Sequence, residues 1–508
     1  MGVRDYTVYD FISRNATLYP EREALVFDEN RLTHRAYRER CDQLAAGLVR
    51  SGIRSGDRIG VIAHNCDEFM ILYGAAAKIG VIVVPVNWRL SRDEVEYVLN
   101  DSTPKAVFAG PDFRESVAQA ATKVSSIQRC YTMGGGGLPE GFFPFEGLYT
   151  EEGAQDEFDI PSDAGFLIMH TAAVEGRPRG ALLSQSNIIH INHHLMCNYR
   201  LGPDDCHLLM LPLFHMAGLS LSLAVMHAGG KNAIIKRFDP KVALELINRE
   251  KVTTFFNFAP ILGKILETYD QEGLYDLSSI RHISGPDKSA NIKRFLDLVP
   301  NATYHTGFGQ TEAMAVASCP LDEKWGSAGK PTEFSKVALF DDHGKEVPVG
   351  SPGEICVRSP TVFLGYWGLE EETAYTFRNG WHHTGDIGRF DGEGYLWYVK
   401  RKAEKELIKP GGENVYPAEV EKAILEHENI QEVCVIGVPN PRWREAIKAV
   451  CVLKQGKRLE PEDLMGFVAS RIARYKKPHH VVYVDALPKN KDGEVDRDQV
   501  KKDHGGRY

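Results

Sequence analysis

Along roughly the first 160 residues, segments whose apolar residues recur with helical spacing alternate with short continuous apolar runs. A helical spacing over Arg40 to Ser51 precedes a short apolar run at Arg58 to Ala63. A second such pair follows, with a helix predicted over Glu68 to Ile79 and a strand over Val81 to Val86. Helices and strands that alternate in this way are typical of layered sheets. The pattern therefore predicts an α/β architecture for this part of the chain.

The C-terminal region has its own pattern of predicted helices and strands, which is typical of an α+β domain. Pro417 is predicted to open an amphipathic helix with acidic residues in its first turn. Two strands and a further helix are predicted after it, at Glu432 to Val438, Ile447 to Leu453 and Glu462 to Ala473. A charged run from Lys400 to Lys405 interrupts the hydrophobic pattern, as a linker does. We therefore expect a large N-terminal domain over residues 1–400 and a small C-terminal domain over residues 401–508.

Length and composition indicate which broad classes of protein this chain can belong to. A chain of 508 residues is too long for one ordinary core, so at least two domains are expected. Its 43% hydrophobic and 25% charged residues are typical of a soluble globular protein. The net charge of -9 argues against nucleic acid as a partner.

The sequence also indicates a compartment. The longest apolar run, Met70 to Val86, contains Lys78, Gly80 and Pro85, so it predicts a buried helix and a strand and no transmembrane segment. The N-terminus carries charges and lacks the apolar core of a signal peptide. Nine cysteines without CxxC spacing suggest neither a zinc site nor a disulfide framework. A reducing cytoplasm fits these features.

The stretch from residue 384 to residue 421 is the most informative. It reads TGDIGRFDGEGYLWYVKRKAEKELIKPGGENVYPAEVE. An acid and an arginine, Asp386 and Arg401, stand at or before the linker, and a glycine pair, Gly411 and Gly412, follows it. This order suits a site built where two domains meet.

The segments TGDIGRFD and GGENVYPAEVE resemble signatures of the adenylate-forming superfamily, which includes acyl-CoA synthetases, peptide-synthetase adenylation domains and luciferases. The form ENVYPAEVE is most similar to the acyl-CoA synthetase branch. The resemblance implies a large N-terminal domain of packed α/β sheets and a small mobile α+β domain. The hinge between them is expected near Arg401, within Lys402 to Glu404.

The resemblance also implies an ATP site. The segment FGQTE is similar to the family pattern YGxTE. The ring of Phe308 is therefore expected to stack on adenine, and Gly309 is the next residue of the same nucleotide-binding segment. Thr311 would hydrogen-bond the α-phosphate, and Glu312 would hold Mg²⁺, a hard ion that prefers carboxylate oxygen.

The ribose contacts follow from the same resemblance. The Asp386 carboxylate would accept hydrogen bonds from both ribose hydroxyls, and Arg401 would reach the ribose as well.

The phosphate loop departs from the family pattern. Residues 171–180 stand where the family usually reads TSGTTGxPKG. Four residues of that pattern remain: Thr171, Gly176, Pro178 and Gly180. Arg179 keeps the positive charge of the usual lysine, but three hydroxyl positions are lost and Glu175 adds a negative charge. Each lost hydrogen bond to a charged group is worth about 1.5–3 kcal/mol, so we expect weaker binding of the pyrophosphate part of ATP.

The acyl side of the site is indicated by LPLFHMAGLS, which resembles the family motif at the acyl pocket. A lone histidine such as His215 is usually a satisfied core residue, but the motif favours a position lining the acyl site. An aromatic patch follows, which is either core or pocket wall: Phe255, Phe256, Phe258 and Ala259. These residues favour an apolar carboxylic acid as substrate.

One catalytic position is altered. The segment LPKNKDGEVDR resembles the family pattern PKTxxGKxxR, with Glu494 where the family has its catalytic lysine. That lysine bridges the carboxylate and the α-phosphate during adenylation, and a carboxylate inverts its charge. Lys489 and Lys491 are nearby cations at other positions.

The function implied by the resemblance is that of an ATP-dependent acyl-CoA synthetase. It would convert an apolar carboxylic acid, fatty or aromatic, to an acyl-adenylate and then to acyl-CoA, with ATP, Mg²⁺ and coenzyme A. The alternative is a catalytically impaired homologue that binds nucleotide or acyl-CoA, or that performs only the thioester half-reaction. A peptide-synthetase module is disfavoured, because no carrier-protein serine motif precedes Tyr508. The partner expected is a small carboxylic acid, and a homodimer is left open.

Overall fold

The structure is a computed structural model that describes residues 2–150, 158–171, 178–401, 407–410, 413–441, 443–490 and 493–506. Its helices are α1 (Val8–Leu18), α2 (His34–Arg50), α3 (Asp67–Ile79), α4 (Arg92–Ser102), α5 (Arg114–Ala121), α6 (Gln185–Asn198), α7 (Met216–His227), α8 (Pro240–Glu250), α9 (Ile261–Glu272), α10 (Ser289–Leu298), α11 (Glu370–Thr376), α12 (Pro417–Leu425), α13 (Pro461–Ala469) and α14 (Arg497–His504). The first twelve strands are β1 (Glu23–Phe27), β2 (Asn30–Thr33), β3 (Arg58–Ile62), β4 (Ile82–Pro85), β5 (Ala106–Ala109), β6 (Arg129–Thr132), β7 (Phe142–Pro144), β8 (Gly165–Thr171), β9 (Arg179–Ser184), β10 (Cys206–Leu209), β11 (Lys231–Ile234) and β12 (Thr254–Phe256). The remaining strands are β13 (His282–Ser284), β14 (Thr303–Gln310), β15 (Ala313–Pro320), β16 (Lys330–Pro331), β17 (Lys336–Phe340), β18 (Gly353–Arg358), β19 (Gly365–Tyr366), β20 (His382–Phe390), β21 (Leu396–Arg401), β22 (Ile430–Asn440), β23 (Arg444–Leu453) and β24 (His480–Tyr483).

Three sheets make up the large N-terminal part. An eight-stranded sheet has the order β19-β9-β8-β4-β3-β5-β6-β7, and a nine-stranded sheet has the order β16-β15-β14-β13-β12-β10-β11-β1-β2. A four-stranded sheet, β17-β18-β20-β21, completes it. The C-terminal part has a three-stranded sheet, β22-β23-β24, with its own apolar core. The expected mixed α/β fold, with a large N-terminal domain and a small C-terminal one, is confirmed.

One apolar core joins the two large sheets. It contains Leu25 and Ile234 from the nine-stranded sheet and Ile59 and Leu167 from the eight-stranded sheet. Leu221 of α7 belongs to the same cluster, because helices are packed between the sheets. The two sheets therefore form one layered body, and their edges position the residues of the site.

Local signals explain most element bounds. Ser91 and Glu94 form the capping box of α4, as the spacing predicts. The helix predicted from Arg40 begins earlier, at His34, because the Thr33 hydroxyl accepts from the Ala36 amide and caps an additional turn. Helix α3 ends at Ile79 and is capped by Gly80, whose φ of 68° suits glycine.

The C-terminal elements show one clear difference from expectation. Helix α12 begins at Pro417 as predicted, but α13 ends at Ala469 and not at Ala473. The amide of Ala473 donates instead to Glu94 Oε2 at 3.1 Å, so the chain leaves the helix to contact the large domain. The predicted hinge, Lys402 to Glu404, lies outside the described residues.

None of the described helices has both the length and the apolarity that a membrane crossing requires.

Candidate active site

Asp386 and Arg401 form a single unit on two paired strands. β20 and β21 run antiparallel with these two residues in register. Arg401 Nε donates to Asp386 Oδ1 at 2.9 Å, and Nη2 donates to Oδ2 at 3.3 Å. The Asp386 side chain is 1% exposed, and the guanidinium of Arg401 fixes its orientation. Each carboxylate oxygen has a second lone pair with which it can accept a hydroxyl.

Phe308 lies close to this pair. Its ring centroid is 6.5 Å from that of Tyr398, on the strand that carries Arg401. Gln310 Nε2 donates to the carbonyl of Thr384 at 3.4 Å, which joins the end of β14 to the segment of Asp386. A Cβ at Gly309 would lie 3.1 Å from the Ala315 amide nitrogen, so glycine lets β14 and β15 approach closely. The predicted adenine and ribose contacts thus lie together.

Glu312 is the meeting point of three segments that are distant in sequence. Its Oε1 accepts from the Thr171 hydroxyl at 3.1 Å and from the Tyr366 hydroxyl at 3.1 Å. Burial and the Glu312 carboxylate raise the pKa of Tyr366, which therefore stays a donor. The guanidinium of Arg179 lies 5.6 Å from the centroid of the Tyr366 ring.

This cluster suits a phosphate and its metal ion. Within the part of the chain that is described, Glu312 Oε2 has no hydrogen-bond donor, and a single protein carboxylate plus substrate phosphates is a usual Mg²⁺ environment. Thr171 and Arg179 face each other across the β8–β9 pair, at the two ends of the predicted phosphate loop. Gly180 packs on β8, since a Cβ there would lie 2.6 Å from Ile168 Cγ2. Residues 172–177, which include Gly176 and Glu175, lie outside the described residues.

His215 stands at the mouth of a cleft between the two domains. It is the N-cap of α7, and its side chain is 42% exposed, which excludes a buried core position. The cleft is also lined by Thr311 and by Glu413 from the small domain. Phe255, in contrast, is 1% exposed within the core of the nine-stranded sheet. Of the two interpretations of the aromatic patch, core is therefore correct for Phe255.

Glu413 connects the small domain to this cleft. Its Oε2 lies 3.5 Å from His215 Nε2, and its Oε1 pairs with Arg89. Burial opposes ionisation of Glu413, but His215 and Arg89 more than offset it and lower its pKa to about 2. Because the folded-state pKa lies below the ordinary 4.5, this contact stabilises docking above pH 4.5 and is lost as the pH falls towards 2. The neighbouring Gly411 and Gly412 lie outside the described residues.

Glu494 does not line the cleft. It is exposed, and its amide donates to Asn490 Oδ1 at 2.9 Å within its own loop. Lys489 pairs with Glu432 at 2.9 Å, also in the small domain. Neither residue lines the cleft, and Lys491 lies outside the described residues. The small domain therefore presents its Glu413 segment to the cleft and not its Glu494 segment.

A second contact between the domains is a buried cation between two carboxylates. Lys476, whose side chain is 2% exposed, pairs with Glu94 of the large domain and at 2.5 Å with Glu419 of α12. Although burial opposes the charge, the two carboxylates raise the pKa of the Lys476 ammonium. Glu94 also receives the Ala473 amide, so one carboxylate caps α4 and holds the small domain.

Lys476→Met is expected to weaken this contact strongly, because removal of the shared cation leaves Glu94 and Glu419 as buried like charges. Breaking a buried ion pair costs about 3–5 kcal/mol. We expect a lower melting temperature and a slower thioester half-reaction from synthetic acyl-adenylate and CoA. Lys502→Met, at an exposed lysine of the same domain, is the control and should match the wild type. Equal behaviour of the two variants would show that Lys476 holds nothing in place.

Several residues of this site were not singled out from the sequence. They are Arg89, Tyr366, Glu413 and Lys476. Glu413 lies within the GGENVYPAEVE segment, so a signal was present for it, but that motif does not show which side chain Glu413 contacts. Their partners are supplied by other segments of the fold.

Comparison with known proteins finds matches over nearly the whole chain. The sequence model described as AMP-binding enzyme matches residues 12–367, and that described as AMP-binding enzyme C-terminal domain matches residues 419–494. The chain is 33% identical to a feruloyl-CoA synthase of Amycolatopsis sp over 501 residues, covering 97% of this chain and 98% of that protein. It is 32% identical to an indoleacetate–CoA ligase of Aromatoleum aromaticum, covering 97% of each. The o-succinylbenzoate CoA synthetase structure from Bacillus subtilis is similar with a TM-score of 0.86, at 27% identity and over 98% of both chains.

Proposed function

Since this chain belongs to the AMP-binding enzyme family and is an acyl-CoA ligase of the AMP-forming, acid–thiol class, we propose that it activates an apolar carboxylic acid, fatty or aromatic. The acid first becomes an acyl-adenylate and then a CoA thioester. The observation that carries the proposal is the convergence of Thr171, Glu312 and Tyr366 beside the cleft that His215 and Glu413 line. The division between the two domains is proposed to fall after residue 400.

Five residues are proposed to bind the nucleotide and its Mg²⁺. Asp386 and Arg401 would hold the ribose, and Phe308 would stack on the adenine. Thr311 would bind the α-phosphate, and Glu312 would hold Mg²⁺, which neutralises phosphate charge when bound. The assignments are supported by the Arg401–Asp386 and Thr171–Glu312 hydrogen bonds, which join separate strands and loops.

The contacts of the small domain suit the second half-reaction. With Glu413 against His215 and Arg89, the exposed Glu494 loop is away from the cleft. We propose that this arrangement forms the thioester and that adenylation needs a rotation about the hinge near Arg401. One observation favours the alternative, a catalytically impaired homologue that performs only the thioester half-reaction: Glu494 stands at the position that the family resemblance gives to a catalytic lysine.

The direct test is ATP-dependent CoA-thioester formation across a panel of fatty and aromatic acids, read as AMP release and thioester mass. We expect turnover of at least one apolar acid, which depends on ATP, Mg²⁺ and CoA together. Turnover restricted to amino acids or small dicarboxylates would contradict the proposed acyl site.

Asp386→Ala is expected to weaken AMP binding by about tenfold or more, because two hydrogen bonds to a charged group are lost. Calorimetric titration with AMP measures this change. Glu393→Ala is the matched control, since it removes an exposed carboxylate at the far tip of the same β20–β21 hairpin. An AMP affinity that is the same in all three proteins would refute the ribose role of Asp386.

A further inference from the structure

Strand β20 contains a bulge at the segment that carries Asp386. Only one residue of β18 separates Glu354 from Cys356, whereas three residues of β20, 384–386, separate the partners with which these two are in register. A bulge bends its strand and redirects the side chains that it contains. The orientation of Asp386, whose carboxylate accepts from Arg401 on β21, therefore depends on how the bulge is held.

Hydrogen bonds outside the regular ladder hold this bulge. The Thr384 hydroxyl donates to the carbonyl of Ile355 at 2.7 Å and accepts from the Asp386 amide at 3.1 Å. The Gly385 amide donates to Glu354 Oε1 at 3.0 Å, and Gly385 has a φ of 74°, in the left-handed region that favours glycine. A side-chain carboxylate thus takes the place of a backbone carbonyl as the acceptor for this amide.

The other oxygen of Glu354 is bound as well. Glu354 Oε2 accepts from His383 Nδ1 at 2.9 Å and from Arg378 Nη2 at 3.1 Å. The side chains of Glu354 and His383 are both buried. One carboxylate therefore binds the residues on both sides of Thr384, directly before Asp386.

The Glu354 side chain lies behind the nucleotide site. Its partner in register, Ile387, follows Asp386 directly. Residues in register share a face of the sheet, and successive residues of a strand point to opposite faces. The Glu354 and Asp386 side chains are therefore on opposite faces of the four-stranded sheet. An effect of Glu354 on the nucleotide would pass through the backbone of Gly385 to Asp386.

We propose that Glu354 is a positioning residue of the nucleotide site, which holds the bulge of β20 in the shape that directs the Asp386 carboxylate at the ribose. This role rests on the proposed function, in which Asp386 binds the ribose. A carboxylate that accepts from two hydroxyls at once has a narrow range of useful orientations, because hydrogen bonds weaken steeply as their angle closes. Relaxation of the bulge should weaken ribose binding and leave the adenine and phosphate contacts unchanged.

The test compares AMP with 2′,3′-dideoxy-AMP, which lacks both ribose hydroxyls, by calorimetric titration. For the wild-type protein we expect AMP to bind about tenfold or more tightly than the dideoxy nucleotide, because the latter loses two hydrogen bonds. Glu354→Met fills a similar volume without an oxygen acceptor, and its affinity for AMP should fall to near that for the dideoxy nucleotide. Its affinity for 2′,3′-dideoxy-AMP should stay at the wild-type value, whereas a loss of folding would lower both affinities.

Glu354→Gln is the second variant, because its amide oxygen can still accept from the Gly385 amide, but as a neutral acceptor. Hydrogen bonds to a neutral acceptor are about half as strong as those to a carboxylate, so its preference for AMP should lie between those of the wild type and Glu354→Met. Glu346→Met, at an exposed glutamate shortly before β18, is the control and should match the wild type.

A wild-type preference for AMP in Glu354→Met would overturn the inference. If that variant does not fold, a wild-type preference in Glu354→Gln would overturn it. An equal loss for both nucleotides in a folded Glu354→Met would also overturn it, because Glu354 would then only stabilise the sheet. A wild-type protein that binds the two nucleotides equally would instead refute the ribose role of Asp386, so the wild-type titration alone separates that failure from a failure of the role of Glu354.

Discussion

Glu494→Lys is expected to raise the rate of acyl-adenylate formation by about 100-fold or more. The substitution replaces a negative charge with a cation at the position that the family resemblance gives to a lysine bridging the carboxylate and the α-phosphate. A carboxylate there both removes an attraction and adds a repulsion during adenylation. Preorganised charge in a closed site is worth several factors of ten in rate.

The thioester step should respond differently. Glu494 is exposed and away from the cleft in the arrangement that places Glu413 against His215. Thioester formation from synthetic acyl-adenylate and CoA should therefore change less than about threefold in Glu494→Lys. Single-turnover measurements of each half-reaction give both numbers.

Glu428→Lys is the matched control, because it makes the same charge change at another exposed position of the small domain. It should leave both half-reactions at wild-type rates. An adenylation rate that does not respond to Glu494→Lys in a protein that already adenylates quickly would mean that another cation, such as Lys489, has taken the role.

Glu312→Gln is expected to lower the adenylation rate by about 100-fold to 1,000-fold, a loss comparable to that of a key electrostatic group in other active sites. The amide removes the negative charge that would hold Mg²⁺ against the phosphates. It also disturbs the acceptor that Thr171 and Tyr366 share at 3.1 Å each. The loss should appear as a raised Mg²⁺ requirement in pyrophosphate exchange.

Tyr366→Phe separates the two parts of this effect. It removes one hydrogen bond to Glu312 and keeps the charge, so we expect only a several-fold loss, about 1 kcal/mol. Equal losses in Glu312→Gln and Tyr366→Phe would show that Glu312 acts by orienting its neighbours and not by holding a metal ion.

The sequence predicted those features that depend on neighbouring residues. Ser91 and Glu94 are three residues apart, and the capping box they suggest is present. Pro417 starts α12 for the same local reason. The alternating pattern also predicted the layered α/β fold, because each period reflects the face that its own element buries.

Features set by partners from distant segments were not predicted. Glu94 is separated from Lys476 by 382 positions, and Glu312 from Tyr366 by 54. Such pairs depend on how whole sheets and domains pack. The hydrophobic periodicity of a single helix or strand carries no information about that packing. The end of α13 shows the same effect, since Ala473 leaves the helix to donate to Glu94.

The site residues fall between these cases. Asp386 and Arg401 were expected to act together from a family resemblance, and the structure pairs them in register. For His215 the motif favoured a position lining the acyl site over the core, and its side chain, 42% exposed, lies at the cleft.

The central proposal is that this enzyme is arranged for thioester formation and is slow at adenylation. The most direct test is single-turnover kinetics on the wild-type protein, with the acid plus ATP in one reaction and synthetic acyl-adenylate plus CoA in the other. We predict that thioester formation is faster by about 100-fold or more, consistent with the exposed Glu494 and the Glu413–His215 contact. Equal rates, or a faster adenylation step, would contradict the claim.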